Sequence, residues 1–141
     1  MSMREIKFKL RTRYDIVLGY EKWYPGSWNS EGEYWTAKPQ WLYSIDGEKW
    51  NPHYIEHSKK DQFTGLHDKD GKEIYKGDVV EALIYADEAP QILEIEFRNG
   101  SFVIDYEDSE SDCVPVGNFV GTLKIIGNIY DNPEFLNIDR R

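Results

Sequence analysis

The chain has one cysteine, Cys113, among 141 residues, so no internal disulfide can form. A lone thiol suits a reducing compartment and excludes a disulfide-stapled scaffold. No apolar run approaches the roughly 18 residues needed to span a membrane. The opening MSMREIKFKLRTR is charged and lacks the apolar stretch of a secretory leader, so a cytoplasmic protein is expected. Walker A, G-x-G-x-x-G, G-x-S-x-G and C-x-x-C motifs are all absent. Basic residues are the minority, with 17 Lys+Arg against 26 Asp+Glu and a net charge of −9, which disfavours direct DNA binding by the whole chain. No segment keeps a helical period over about 12 residues, so no long helix is expected.

What the chain does have is aromatic side chains, 15% of its residues. Such large rings bury about 150–250 Å² each and argue against wholesale disorder. All five tryptophans (Trp23, Trp28, Trp35, Trp41, Trp50) lie in the first half. Charge divides too: residues 1–60 hold ten Lys/Arg and eight Asp/Glu, a balance of +2, and residues 61–141 hold seven and eighteen, a balance of −11. The sequence therefore reads as two segments, an aromatic-rich one at 1–60 and an acidic one at 61–141, either separate or parts of one compact domain. The polar run His57-Ser58-Lys59-Lys60-Asp61 marks the seam.

Strand patterns dominate both segments. Ile6, Phe8 and Leu10 alternate with Lys7, Lys9 and Arg11, predicting an amphipathic strand with a basic outward face. A second strand is expected from Ile16 toward Tyr20, and a short one from Tyr34 to Ala37. Asp46-Gly47 predicts a two-residue hairpin that sets Tyr43 opposite Trp50. Leu93, Ile95 and Phe97 alternate with Glu94, Glu96 and Arg98 before Asn99-Gly100. A type I′ turn there sets Phe97 opposite Phe102, Ile95 opposite Ile104 and Leu93 opposite Tyr106. Further strands are expected over Asp78–Tyr85 and Thr122–Tyr130, and Asn132-Pro133-Glu134 opens a terminal helical turn. The fold class is mainly β: an aromatic-rich N-terminal β segment plus a small SH3-like, barrel-like C-terminal β segment, with few short helices.

Few residues read as chemistry. His53 and His57 stand four apart, with His67 further on, but Asn51–His57 has no helical pattern to bring them to one metal. If Gly71 took position 6 of a calcium loop, positions 1 and 12 would fall on Leu66 and Gly77, neither a carboxylate, so Asp70-Gly71 reads as a tight turn. Cys113 sits among Glu107, Asp108, Glu110 and Asp112, a setting that disfavours the thiolate a nucleophile needs. The tryptophans offer either an aromatic platform for sugars or bases or the filling of a thin core. Trp23 and Trp28, beside the Pro25–Gly32 loop, are expected to be the exposed ones. No catalytic, cofactor-binding or metal-ligating residue is assigned, and no cofactor.

The unbroken run Gln62-Phe63-Thr64-Gly65-Leu66-His67-Asp68-Lys69-Asp70-Gly71-Lys72-Glu73-Ile74-Tyr75-Lys76-Gly77-Asp78-Val79-Val80 resembles the signature of the YopX family, Q-[FY]-T-G-L-x-D-K-x-G-K-x-I-[YF]-x-G-D-[IV]-[VI]. Arg4–Phe8 is similar to that family's opening strand, and Ile126–Glu134 to its closing segment. Between Trp23 and Lys60 the likeness thins, and His57–Asp61 replaces the family's P-x-T-[IV]-G. The resemblance implies a small, β-rich protein of phages and prophages whose members have no characterised molecular function, and no catalytic residue carries over. The expectation is a non-enzymatic interaction module whose partner is a protein or a nucleic-acid component. Its rivals are an acidic nucleic-acid mimic built on Asp105–Asp112, an enzyme acting on nucleic acid or carbohydrate, and a homo-oligomer joined at strand edges.

Overall fold

The structure, a computed structural model, describes residues 5–32, 35–84, 87–105, 113–118 and 121–139. Its contacts group the chain into two compact units, Met1–Gln62 and Phe63–Arg141. The described residues are mainly strand, with one short α-helix and one 3-10 turn.

In the first unit, β1 (Lys7–Arg11) and β2 (Val17–Tyr24) form a hairpin, and β3 (Ser27–Trp28) pairs with β4 (Trp35–Ala37) in a two-stranded ribbon. β5 (Gln40–Ser44) joins β2, and the start of β6 (Lys59–His67) joins β1, so the antiparallel order is β5-β2-β1-β6. The alternation in β1 buries Leu10 completely, as its apolar face requires. The expected basic outward face is not formed, because Lys7 and Arg11 are buried as well. Arg11 is only 2% exposed; its Nε donates to Asp61 Oδ2 at 3.0 Å and its Nη1 to the Asp15 carbonyl at 2.7 Å. A buried guanidinium persists only with such compensation, and Asp61, likewise buried, supplies the counter-charge.

The Asp46-Gly47 turn forms, but one residue longer than the two-residue hairpin expected. Tyr43 faces Asn51 rather than Trp50, with reciprocal backbone bonds of 2.7 and 3.0 Å. Asp46 causes the shift: its Oδ1 accepts from the backbone N–H of Glu48 and Lys49 and from Ser44 Oγ, winding an Asx-type loop. The Lys49 and Glu48 N–H groups, with the Ser44 hydroxyl, hold the Asp46 carboxyl down to about 2.

In the second unit β6 continues and pairs with β7 (Glu73–Tyr75). β8 (Asp78–Ala82) lies between β9 (Gln91–Glu94) and the later β13, while β10 (Glu96–Arg98), β11 (Ser101–Asp105) and β12 (Cys113–Pro115) form a second three-stranded sheet. β13 (Lys124–Asn128) is followed by α1 (Glu134–Asp139), at the helical turn expected after Asn132-Pro133. Asn99 and Gly100 both take positive φ (51° and 84°), and Phe97 pairs with Phe102 in the expected register, rings 5.0 Å apart.

That register does not run on to Leu93, which pairs with Val80 of β8 instead; Tyr106 lies outside the described residues. The chain changes sheets at Ile95, whose N–H bonds the Asp78 carbonyl and whose carbonyl receives the Gly77 N–H, each at 2.9 Å. This corner leaves separate antiparallel sheets, not closed into a barrel among the described residues. The core of the unit is aliphatic: Ile74, Val80, Leu93, Ile95, Ile104 and Leu123 pack in one cluster with Phe102 and Val116.

Candidate functional site

The 62–80 run is where a site would be sought first, and three of its polar residues, Thr64, Asp68 and Asp78, are buried and hold the backbone. Thr64 Oγ1 donates to the Ile74 carbonyl (2.8 Å) and accepts the Leu66 N–H (3.1 Å), bracketing Gly65 at φ 85°. These bonds shape the bulge between Phe63 and His67, where β6 slips against β7. Asp68 is buried and accepts three backbone N–H bonds, from Asp70 and Lys72 at Oδ1 and from Ile125 at Oδ2, all 2.9–3.0 Å. Burial opposes its ionisation, but the three N–H groups win and hold its carboxyl below the usual carboxylate value. Asp78 Oδ2 takes the Tyr75 N–H at 2.8 Å across the turn at Gly77, whose φ is 90°. In the closing segment Asn128 Oδ1 accepts the N–H of Tyr130 and of Asp131. A Cβ on Gly127 would collide with the Asn132 side chain, which would have to move to admit it.

The tryptophan-rich unit places its rings differently. Trp28 is exposed as expected, whereas Trp23 is half-buried and Trp41, on the outer strand β5, is 39% exposed. Trp41 stands opposite Trp23 in the β2–β5 register, with ring centroids 5.3 Å apart in edge contact, and Phe8 lies 6.3 Å from Trp41. Lys60 completes the cluster. Its Nζ sits 4.5 Å over the Phe8 ring and 5.8 Å from the Trp41 centroid, and it pairs with Glu21 at 3.0 Å. Glu21 is buried and also accepts the Tyr43 hydroxyl at 2.8 Å. Burial and that bond to a carboxylate push the Tyr43 hydroxyl well above its ordinary value, keeping it a donor. The result is an aromatic face with an internally neutralised charge. Lys60 and Glu21 carry no local sequence signal, because they meet only through strand pairing across β1.

Each histidine has its own surroundings. His53 and His67 are exposed, and His67 packs edge-on against Phe63. His57 is half-buried, with Nδ1 2.7 Å from the Ile55 carbonyl, and lines a cleft of about 420 Å³ with Arg13, Tyr14, Leu18 and Glu56. Among the described residues no group of three or more His, Cys, Asp or Glu is placed to hold a metal. Glu107, Asp108, Glu110 and Asp112 lie outside the described residues. No helix among the described residues is long and apolar enough to cross a membrane.

The crystal structure of protein EF1440 from Enterococcus faecalis is similar over 96% of this chain and 99% of that one, with a TM-score of 0.52 at 21% identity, a likeness of fold. No curated protein matches the chain. The profile of the family described as YopX protein matches residues 28–137, a range that begins after the opening strand and takes in both the 62–80 run and the closing segment. The chain belongs to the YopX family.

Proposed function

We propose that this chain is a non-enzymatic interaction module of phage or prophage origin, acting in the bacterial cytoplasm, and that its binding surface is the aromatic face of the first unit. The observation that carries this reading is Trp41: a large ring left 39% exposed within a cluster of Trp23, Phe8 and Lys60. Tryptophan in a preassembled aromatic setting is the residue type that most often dominates binding energy at interfaces. The 62–80 run supports the same reading from the other side, since Thr64, Asp68 and Asp78 spend their polar atoms on their own backbone.

The test is affinity capture from prophage-induced host lysate, with and without nuclease, comparing the unaltered chain with Trp41→Ala. Retention of a nuclease-resistant partner by the first and its loss by the second is expected. Removal of the Trp41 ring is expected to cost about 2 kcal/mol or more of binding, the scale of an interface hot spot. Equal capture by both, with the fold of the variant intact by near-UV circular dichroism, would move the binding surface elsewhere.

A further inference from the structure

The β1–β2 turn of the first unit carries a concentration of exposed hydrocarbon. Tyr14 is 70% exposed and Ile16 62%, and beyond them Ile45 is 82% and Tyr54 64% exposed. These side chains belong to one end of the sheet. Thr12 Oγ1 accepts the N–H of both Tyr14 and Ile16, setting the tight turn. Tyr14 and His57 line the same cleft, the Tyr54 ring packs 5.6 Å from His57, and Gly19 lies against both Ile45 and Ile55. Exposed apolar clusters of this kind mark interaction surfaces.

The charges at the cleft decide what fits it. Lys59 is paired with Asp15 at 2.6 Å and Arg11 with Asp61 at 3.0 Å, so these four cancel within the chain. Arg13 and Glu56 remain. Arg13 reaches only its neighbour Tyr14, with Nη2 donating to the hydroxyl at 2.6 Å and the guanidinium 4.8 Å from the ring centroid. Among the described residues neither Arg13 nor Glu56 has an oppositely charged partner.

From this geometry we infer that the turn end of the first unit is a two-fold interface with a second copy of this chain, apolar end against apolar end, Arg13 of each copy meeting Glu56 of the other. The case for a second copy is charge complementarity at the cleft. A two-fold contact places every residue pair twice, so a cleft lined by one cation and one anion, Arg13 and Glu56, neither with a charged partner among the described residues of its own chain, neutralises itself against a second copy. The inference is independent of the aromatic face; each stands or falls alone.

Sedimentation velocity on the full chain, from about 1 μM to about 500 μM, tests it, since that range brackets the affinity of a modest dimer. The mass is expected to rise from the 16.6 kDa of one chain toward twice that value. Arg13→Glu and Glu56→Arg should each weaken association roughly tenfold, and the two changes in one chain should restore it, because the reversed pair is again complementary. Ile16→Asp should abolish the dimer without altering the near-UV spectrum. A monomer at every concentration overturns the inference. So does a dimer that ignores both charge reversals, as one paired through a strand edge would, or a double reversal that fails to restore association.

Discussion

At the scale of single residues, Thr64, Asp68 and Asp78 of the YopX signature hold the backbone around them. Asp68 is the clearest case, because one buried carboxylate ties together three backbone N–H groups, two from its own turn and one from β13. Its folded-state pKa lies below the unfolded value, so its contribution to stability is present above about pH 4 and is lost as the pH falls through the depressed folded-state value. Asp68→Asn keeps the shape but presents an amide N–H₂ where an acceptor is needed. A loss of about 1–3 kcal/mol is expected at neutral pH, with a flatter acid limb in urea titrations run from pH 7 to pH 3. An unchanged acid limb would assign the acid sensitivity to other carboxylates.

Elements depend on a few backbone positions of unusual geometry. Asn99 and Gly100 both have positive φ, which matches the turn to the right-handed twist of β10 and β11. Gly100→Val places a β-branched side chain at φ 84°, where the space is open but the backbone is wrong. Destabilisation of about 1–2 kcal/mol is expected by chemical denaturation. A variant within ~0.5 kcal/mol of the parent would show that the hairpin tolerates another turn type. The hairpin was legible in the sequence because local turn chemistry and period-2 alternation agree there. The Asp46 loop was less legible, because one side-chain oxygen recruited two further N–H groups and shifted the register by a residue.

The two units of the molecule are built on different balances. The second packs an aliphatic cluster that includes Ile74, Val80, Ile95, Ile104 and Leu123. In the first, Leu10 and Tyr43 are the only apolar residues buried among those described, beside the charged Lys7, Arg11, Glu21 and Asp61. Burying paired charges returns less net stability than burying hydrocarbon. The first unit is therefore expected to lose structure at lower denaturant than the second. Tryptophan fluorescence reports the first unit alone, because all five tryptophans precede residue 62. Its urea midpoint should fall below that of amide-exchange protection at Val80, Ile95 and Ile104. Coincident midpoints would mean that the chain unfolds as one cooperative body.

The sequence by itself determined the mainly β class, the Asn99-Gly100 hairpin, the terminal helical turn after Asn132-Pro133 and the family. Each rests on residues adjacent in the chain, where periodicity, turn residues and an uninterrupted motif act locally. Tertiary structure decided which charges are buried, that Trp41 rather than Trp23 joins Trp28 among the exposed tryptophans, and where the chain changes sheets. Arg11 meets Asp61, and Lys60 meets Glu21 and Trp41, only after strands distant in sequence have paired. Alternation places a side chain on a face of its strand, but only packing decides whether that face meets water, a counter-charge or another ring.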